Sequence, residues 1–169
     1  MPEMNTGIQN RVDQVSYVKI GGTYELLGYG FKELNEKPGA QSSDKKYINQ
    51  RSKSSDITGY QWESGFSADI IKSEAVIKDF IDIGKYQKVG AEARRDYVMV
   101  ELDEKQSGVE NVFTARQITV TVEVSDFSDI DGEMGVEGTL KGVTDIVAGT
   151  FNTTTKTFTP DDGAIVVEP

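Results

Sequence analysis

The sequence predicts a mostly β protein: an antiparallel β-sandwich or partial barrel with one flanking α-helix and a long extended loop. Three observations lead there. Apolar and polar residues alternate with period two from Tyr60 to Asp69, and again from Ile118 to Ser125, the pattern of strands with one buried and one wet face. Only one segment, EAVIKDFIDIG, repeats its apolar residues with a helical period. One helix among many strands fits an antiparallel layered fold better than the strand-helix alternation of a parallel sheet.

Taken in order, residues 1–14 (MPEMNTGIQNRVDQ) are polar and read as a flexible arm. VSYVKI and TYELLGYGF follow, two apolar runs divided by Gly21 and Gly22, which is the signature of a tight β-hairpin. The stretch KPGAQSSDKKYINQRSKSSD, from Lys37 to Asp56, has Tyr47 and Ile48 as its one sizeable apolar pair and reads as neither helix nor strand. It belongs to a loop over 30–56, longer than compact domains usually carry without a functional reason. Next, Tyr60, Trp62, Ser64, Phe66 and Ala68 alternate with Gln61, Glu63, Gly65, Ser67 and Asp69 in a single expected strand. The helix is expected to start with Ser73 as N-cap and Glu74 in its first turn, to bury Val76, Ile77, Phe80 and Ile81, and to stop at Gly84. RRDYVMVELD and ITVTVEV then read as strands, the second with β-branched residues on both faces. SDIDGEMG turns the chain, GVEGTLKGVTDIV runs back, and GTFNTTTKTFT closes with a strand pair. The whole reads as one domain over 1–160 with a C-terminal tail at 161–169.

Composition narrows the chemistry. The 169 residues contain no cysteine and no histidine, which removes thiolate nucleophiles, zinc-thiolate sites, the commonest metal ligand and the commonest general base. The turn with Asp126, Asp129, Asp131, Gly132 and Glu133 invites a calcium reading, but Phe127 and Gly138 occupy the first and last ligand positions of an EF-hand loop aligned on Gly132. No carboxylate pair is marked as a glycosidase couple, and no Gly-rich loop with a lysine precedes the helix. Trp62, with Tyr60 and Phe66 on the same strand face, reads as core or as a sugar platform. The expectation is a protein that is not an enzyme and needs no cofactor or metal.

Charge is more informative. A formal net charge of −10 disfavours tight binding to nucleic acid or to an anionic membrane, and no apolar run reaches transmembrane length. Between Phe31 and Asp56, however, there are six cations, Lys32, Lys37, Lys45, Lys46, Arg51 and Lys53, against four acids, Glu33, Glu36, Asp44 and Asp56. A basic loop on an acidic body can dock on another copy head to tail, a contact that does not close and therefore builds filaments. As a bland alternative it is a solvated loop.

The segments ITGYQWESGFSADI, KSEAVIKDFIDIG, KVGAEARRDYVMVEL and ITVTVEVSDFSDIDGEMGVEGTLKGVTDIVAGTFNTTTKTFT, in that order, resemble the tail tube (major tail) proteins of long-tailed, non-contractile bacteriophages, with the likeness running from Val15 to Thr159. The resemblance implies a non-enzymatic virion subunit that forms hexameric rings, stacked into a hollow tube for DNA delivery. It is expected to assemble in the host bacterial cytoplasm with itself, a tape-measure protein and tail-tip and terminator proteins, and to pass double-stranded DNA without tight binding. It also implies that the long loop reaches a neighbouring ring, with Lys37, Lys45, Lys46, Tyr47, Ile48, Arg51 and Lys53 in the contact. The inner sheet would point Glu63, Ser67, Asp69, Thr119, Thr121, Glu123, Glu137 and Thr139 into the lumen, with Lys141 on the same parity. A one-residue slip of register would reverse that set. The other function class left open is a soluble β-sandwich binding module for a carbohydrate or host-surface ligand, using Trp62 or an exposed loop.

Overall fold

The structure is a computed structural model that describes residues 3–4 and 7–161. Its elements are β1 (Glu3–Met4), β2 (Gln14–Ile20), β3 (Thr23–Leu26), β4 (Phe31–Lys37), β5 (Ala40–Lys45), β6 (Ser54–Tyr60), β7 (Glu63–Asp69), α1 (Ala75–Lys85), β8 (Arg94–Lys105), β9 (Val112–Ile130), β10 (Glu133–Gly142), β11 (Val147–Asn152) and β12 (Thr157–Pro160). Ten strands make one antiparallel sheet whose main path is β3-β2-β8-β9-β10-β7-β4, and β5 with β6 forms a separate two-stranded sheet. The protein is thus mostly β, with one α-helix among the described residues and no ladder among them that closes the sheet into a barrel.

Two cores form because strand alternation loads both faces of the sheet. On one face Phe66, Ala68, Val120, Val122, Val136 and Leu140 meet the apolar stripe of α1, where Val76, Ile77, Phe80, Ile81 and Ile83 are all buried. Burying each such helix side chain contributes roughly 1.5–3 kcal/mol, more than an 11-residue helix gains from its own propensity. The sheet rolls around this core far enough for the Arg11 guanidinium, just before β2, to donate to the Leu34 carbonyl on β4, 3.4 Å away. On the opposite face Val98, Val100 and Ala115 lie beneath Tyr17, Tyr24 and Phe151. The Tyr17 and Phe151 rings are 4.6 Å apart although β8 and β9 separate their strands, so the sheet curls the other way at this corner.

Local chemistry explains the turns. In the expected hairpin, Ile20 pairs with Thr23 across Gly21 and Gly22, both with positive φ. The same two-residue turn recurs at Asp131 and Gly132, so most of SDIDGEMG is strand and only these two residues reverse the chain.

Four readings change. The N-cap position is Glu74, not Ser73, and no side chain caps it. Gly84 is inside α1, not its stop: a Cβ there would come within 2.8 Å of Val124 and 2.9 Å of Phe127, so glycine lets the helix lie close on β9. The helix ends instead at Tyr86, followed by Gln87 with positive φ. The expected single strand across Tyr60 and Trp62 is two, β6 and β7, broken at Gln61 and Trp62. The loop expected over 30–56 holds β4, β5 and the first three residues of β6, with β5 and β6 paired from Ala40 with Tyr60 to Lys45 with Ser54. In the N-terminal arm, Glu3 and Met4 pair with Glu104 and Lys105, and Arg11–Asp13 forms a 3-10 turn. Of the C-terminal tail only Asp161 lies within the described residues.

Because Phe80 is fully buried between α1 and the sheet, against Phe31 and Phe66, Phe80→Ala is expected to cost about 3–5 kcal/mol in urea denaturation. A loss no larger than that of an exposed-site substitution would mean that α1 is not seated on this core.

Candidate functional site

The face of β9, β10 and β7 turned away from α1 is polar because every second residue in these strands is. Glu63, Ser67 and Asp69 come from β7, Glu137 and Thr139 from β10, and Thr119, Thr121 and Glu123 from β9; none is buried. Register joins them into one patch: Ser67 stands opposite Glu137, Thr139 opposite Glu123, and Lys141 between Glu63 and Thr121. The parity read from sequence therefore places all eight on the same side of the sheet, with Lys141 among them. Cations entering this patch are met by carboxylates. Lys141 Nζ lies 2.8 Å from Glu123 and Lys32 Nζ 2.7 Å from Asp69, while Lys37 stands opposite Glu63. The hydrogen bond to Glu123 holds the Lys141 ammonium above its ordinary pKa. Thr119 is anchored at the patch border, donating from Oγ1 to Asp96 at 3.0 Å.

The second feature is a hairpin arm. β4 and β7 are antiparallel neighbours in the main sheet, and β5 and β6 continue them outward past a kink. At the kink Gln61 N–H donates to the Gly39 carbonyl at 2.8 Å. Gly39 has φ +68°, and a Cβ there would run into the Gln61 carbonyl, so only glycine fits. Six-residue β5 reaches about 20 Å beyond the body. Its turn holds Lys46, Tyr47, Ile48, Arg51 and Lys53, with Lys45 at the end of β5, and all are exposed. Tyr47 is 60 % exposed and Ile48 fully so. Lys37 lies apart from this group, on the main sheet. The arm's pairing alternates Ala40, Tyr60, Ser42 and Ile57 on one face with Gln41, Gly59, Ser43 and Asp56 on the other. Neither face is covered, and a two-stranded hairpin has no core of its own.

A polar latch fixes the arm's root. Arg116 on β9 donates twice to Glu36 on β4, at 2.8 and 3.0 Å, and Trp62 Nε1 donates to the same carboxylate at 2.9 Å. Glu101 stands 3.7 Å from Arg116 on the other side. Both strands of the arm are thereby tied to β9, Glu36 just before the kink and Trp62 just after it. Burial alone would raise the Glu36 pKa, but the bonds from Arg116 and Trp62 and the guanidinium charge outweigh it and hold the carboxyl below the usual range. Sequence reasoning missed this group. Glu36 and Arg116 are 80 positions apart and neither belongs to a recognisable motif.

The structure corrects one reading of Trp62. Its ring is only 6 % exposed and packs 5.6 Å from the Tyr97 ring, so it is not a flat platform for a sugar. A cleft of about 810 Å³ does lie at the arm's root, with Tyr60, Trp62, Arg116, Val143 and Ile146 on its walls. Among the described residues, no group of three or more acids is placed to hold a metal ion, and no helix is long and apolar enough to cross a membrane.

The latch generates a pH dependence. Because Glu36 is more acidic folded than unfolded, its contribution is present above its unfolded-state value and is lost as pH falls through the lower folded one. Glu36→Gln is expected to cost roughly 1–3 kcal/mol at neutral pH and to flatten the loss of stability on acidification. Identical acid slopes for the two proteins would mean that the latch does not form.

No protein-family model matches the chain, and no curated protein matches its sequence. Solved structures do share its fold. A chain in the virion of a native gene transfer agent particle superposes with TM-score 0.56 at 12 % identity, covering 82 % of this chain and 97 % of that one. A chain in the tail of an empty gene transfer agent particle with C6 symmetry gives 0.54 at 10 % identity over the same shares. A chain in the six-fold symmetrised baseplate of the anti-feeding prophage gives 0.52 at 6 % identity, covering 86 % of this chain and 97 % of that one.

Proposed function

We propose that the chain is a structural subunit of a phage-type tail, the tube protein of a long-tailed, non-contractile phage: six copies form a ring, and rings stack into a conduit that delivers DNA into the host. The observation that carries this reading is the arm, a two-stranded hairpin with no covered face that projects from a folded body. Such an element makes physical sense only where another chain covers it. The shared fold with chains of six-fold symmetric tail and baseplate particles supports the ring order.

The polar face supports a lumen. A bore wide enough for duplex DNA needs more strands than a single chain of 169 residues supplies, because barrels of 16–18 strands leave only a narrow aqueous channel. Copies must therefore pool their sheets, each contributing a face that tolerates water. Glu63, Ser67, Asp69, Thr119, Thr121, Glu123, Glu137 and Thr139 form such a face in this reading. With its entering cations held by carboxylates, it lets a polyanion slide without gripping it. In the same reading Lys37, Lys45, Lys46, Tyr47, Ile48, Arg51 and Lys53 serve the contact between rings. A tape-measure protein, tail-tip and terminator proteins and transiting DNA complete the partners, with assembly in the host cytoplasm.

Two experiments test the reading. Replacing Ala40–Tyr60 by a short Gly-Ser turn should leave the β-type circular dichroism unchanged and abolish long tubes in negative-stain images; tubes of normal length would remove the arm from assembly. Glu63→Lys with Glu123→Lys should still assemble but impair DNA passage, and unaltered infectivity of a phage carrying both would count against the lumen face.

A further inference from the structure

The strands that carry the arm end in opposite charge. At one end the arm's tip, Lys45 to Lys53, holds Lys45, Lys46, Arg51 and Lys53 and no acid, with Tyr47 and Ile48 exposed between them. At the other end β9 and β10 outrun β7, whose last residue, Asp69, pairs with Gly135. Beyond that pair Ile70 N–H donates to the Met134 carbonyl at 2.9 Å, and the end of the β9–β10 hairpin runs on past β7. From Asp129 to Met134 it holds Asp129, Asp131 and Glu133 and no cation. Ile130, 58 % exposed, shares a face with its cross-strand partner Glu133, whereas Met134, paired with Asp129, faces the other way. Behind the turn is a cleft of about 300 Å³, walled by Asp69, Ile130, Asp131, Glu133 and Glu137, with Lys32 already paired to Asp69. The cleft is wide enough for an ammonium or guanidinium group and offers it a surplus of carboxylates.

We infer that the tip of the arm docks on the end of the β9–β10 hairpin of a second copy, with Tyr47 and Ile48 against Ile130 at the cleft's rim and an arm cation entering the acidic cleft. This deepens the tube-subunit reading and rests on it, because it names the surface that receives the arm. Donor and acceptor match in two independent ways, a four-cation tip facing a three-acid hairpin end, and the exposed Tyr47 and Ile48 facing the exposed Ile130. They cannot satisfy each other within one copy. Ile48 is fully exposed, and seven residues of β7, about 20 Å of strand, lie between the arm's root and the acidic turn. In a tube whose rings share one direction the contact repeats head to tail along the strands.

The absence of cysteine allows a clean test. Ile48→Cys and Ile130→Cys variants, mixed, assembled and mildly oxidised, should give disulfide-linked dimers that neither variant gives alone; a chain carrying both substitutions should give a ladder. Reversing the turn with Asp129→Lys, Asp131→Lys and Glu133→Lys should cut tube yield at least tenfold at low salt. Adding Lys45→Glu, Lys46→Glu and Arg51→Glu to the same chain should restore it. Tubes that form without the mixed crosslink, or folded double-reversal protein that fails to recover, overturn the docking site while leaving the tube reading in place. Wild-type protein that stays monomeric at every concentration and salt overturns both.

Discussion

Almost everything in this molecule depends on satisfying the backbone of β9. A 19-residue strand exposes more donors and acceptors than one neighbour can meet. β8 takes one edge, and the other is shared, with β11 on residues 112–117 and β10 on residues 120–130. Because two partners divide that edge, the sheet is free to curl one way around α1 and the other way under Phe151. The two cores on opposite faces follow from that division. So does the polar patch, which occupies the part of β9 where the reverse face has neither helix nor aromatic cover.

The same strand sets where the arm points. Arg116, near the start of β9, is one of the few cations in the structure bound by a carboxylate with two parallel bonds, and that carboxylate belongs to the arm's root. Arg95 makes the equivalent bond to Asp79, at 2.8 and 2.9 Å, and ties α1 to β8. Arg95 joins the helix to the sheet, and Arg116 joins two strands of the sheet that are not neighbours, β9 and β4. One fixes the helix over the core and the other fixes the start of a segment that has no core.

Legibility in the sequence followed burial. Where one face is buried, as from Glu63 to Asp69 and from Ile118 to Val124, alternation is strict, so wet and buried positions could be told apart within each strand, but only register joins the wet ones into one patch. The arm escaped notice for the complementary reason. Nothing in β5 is buried and almost nothing in β6, so neither strand needs an apolar period, and only their pairing reveals them. Gly84 was misread because glycine stops helices and also lets them approach a sheet, and sequence does not distinguish the two uses. The latch was invisible because it is made by topology: β4 and β9 meet only after the sheet has rolled.

The continuity of β5 and β6 with β4 and β7 also bears on force. A pull on the arm's tip is transmitted along the axis of β7, which is paired with β10 over seven consecutive positions from Glu63 with Lys141 to Asp69 with Gly135. Load applied parallel to a ladder is shared by all its hydrogen bonds at once, whereas load applied across it opens them singly. The arm is therefore anchored in the mechanically resistant direction, and the kink at Gly39 and Gln61 is the compliant point where bending would be taken up before the ladder is strained.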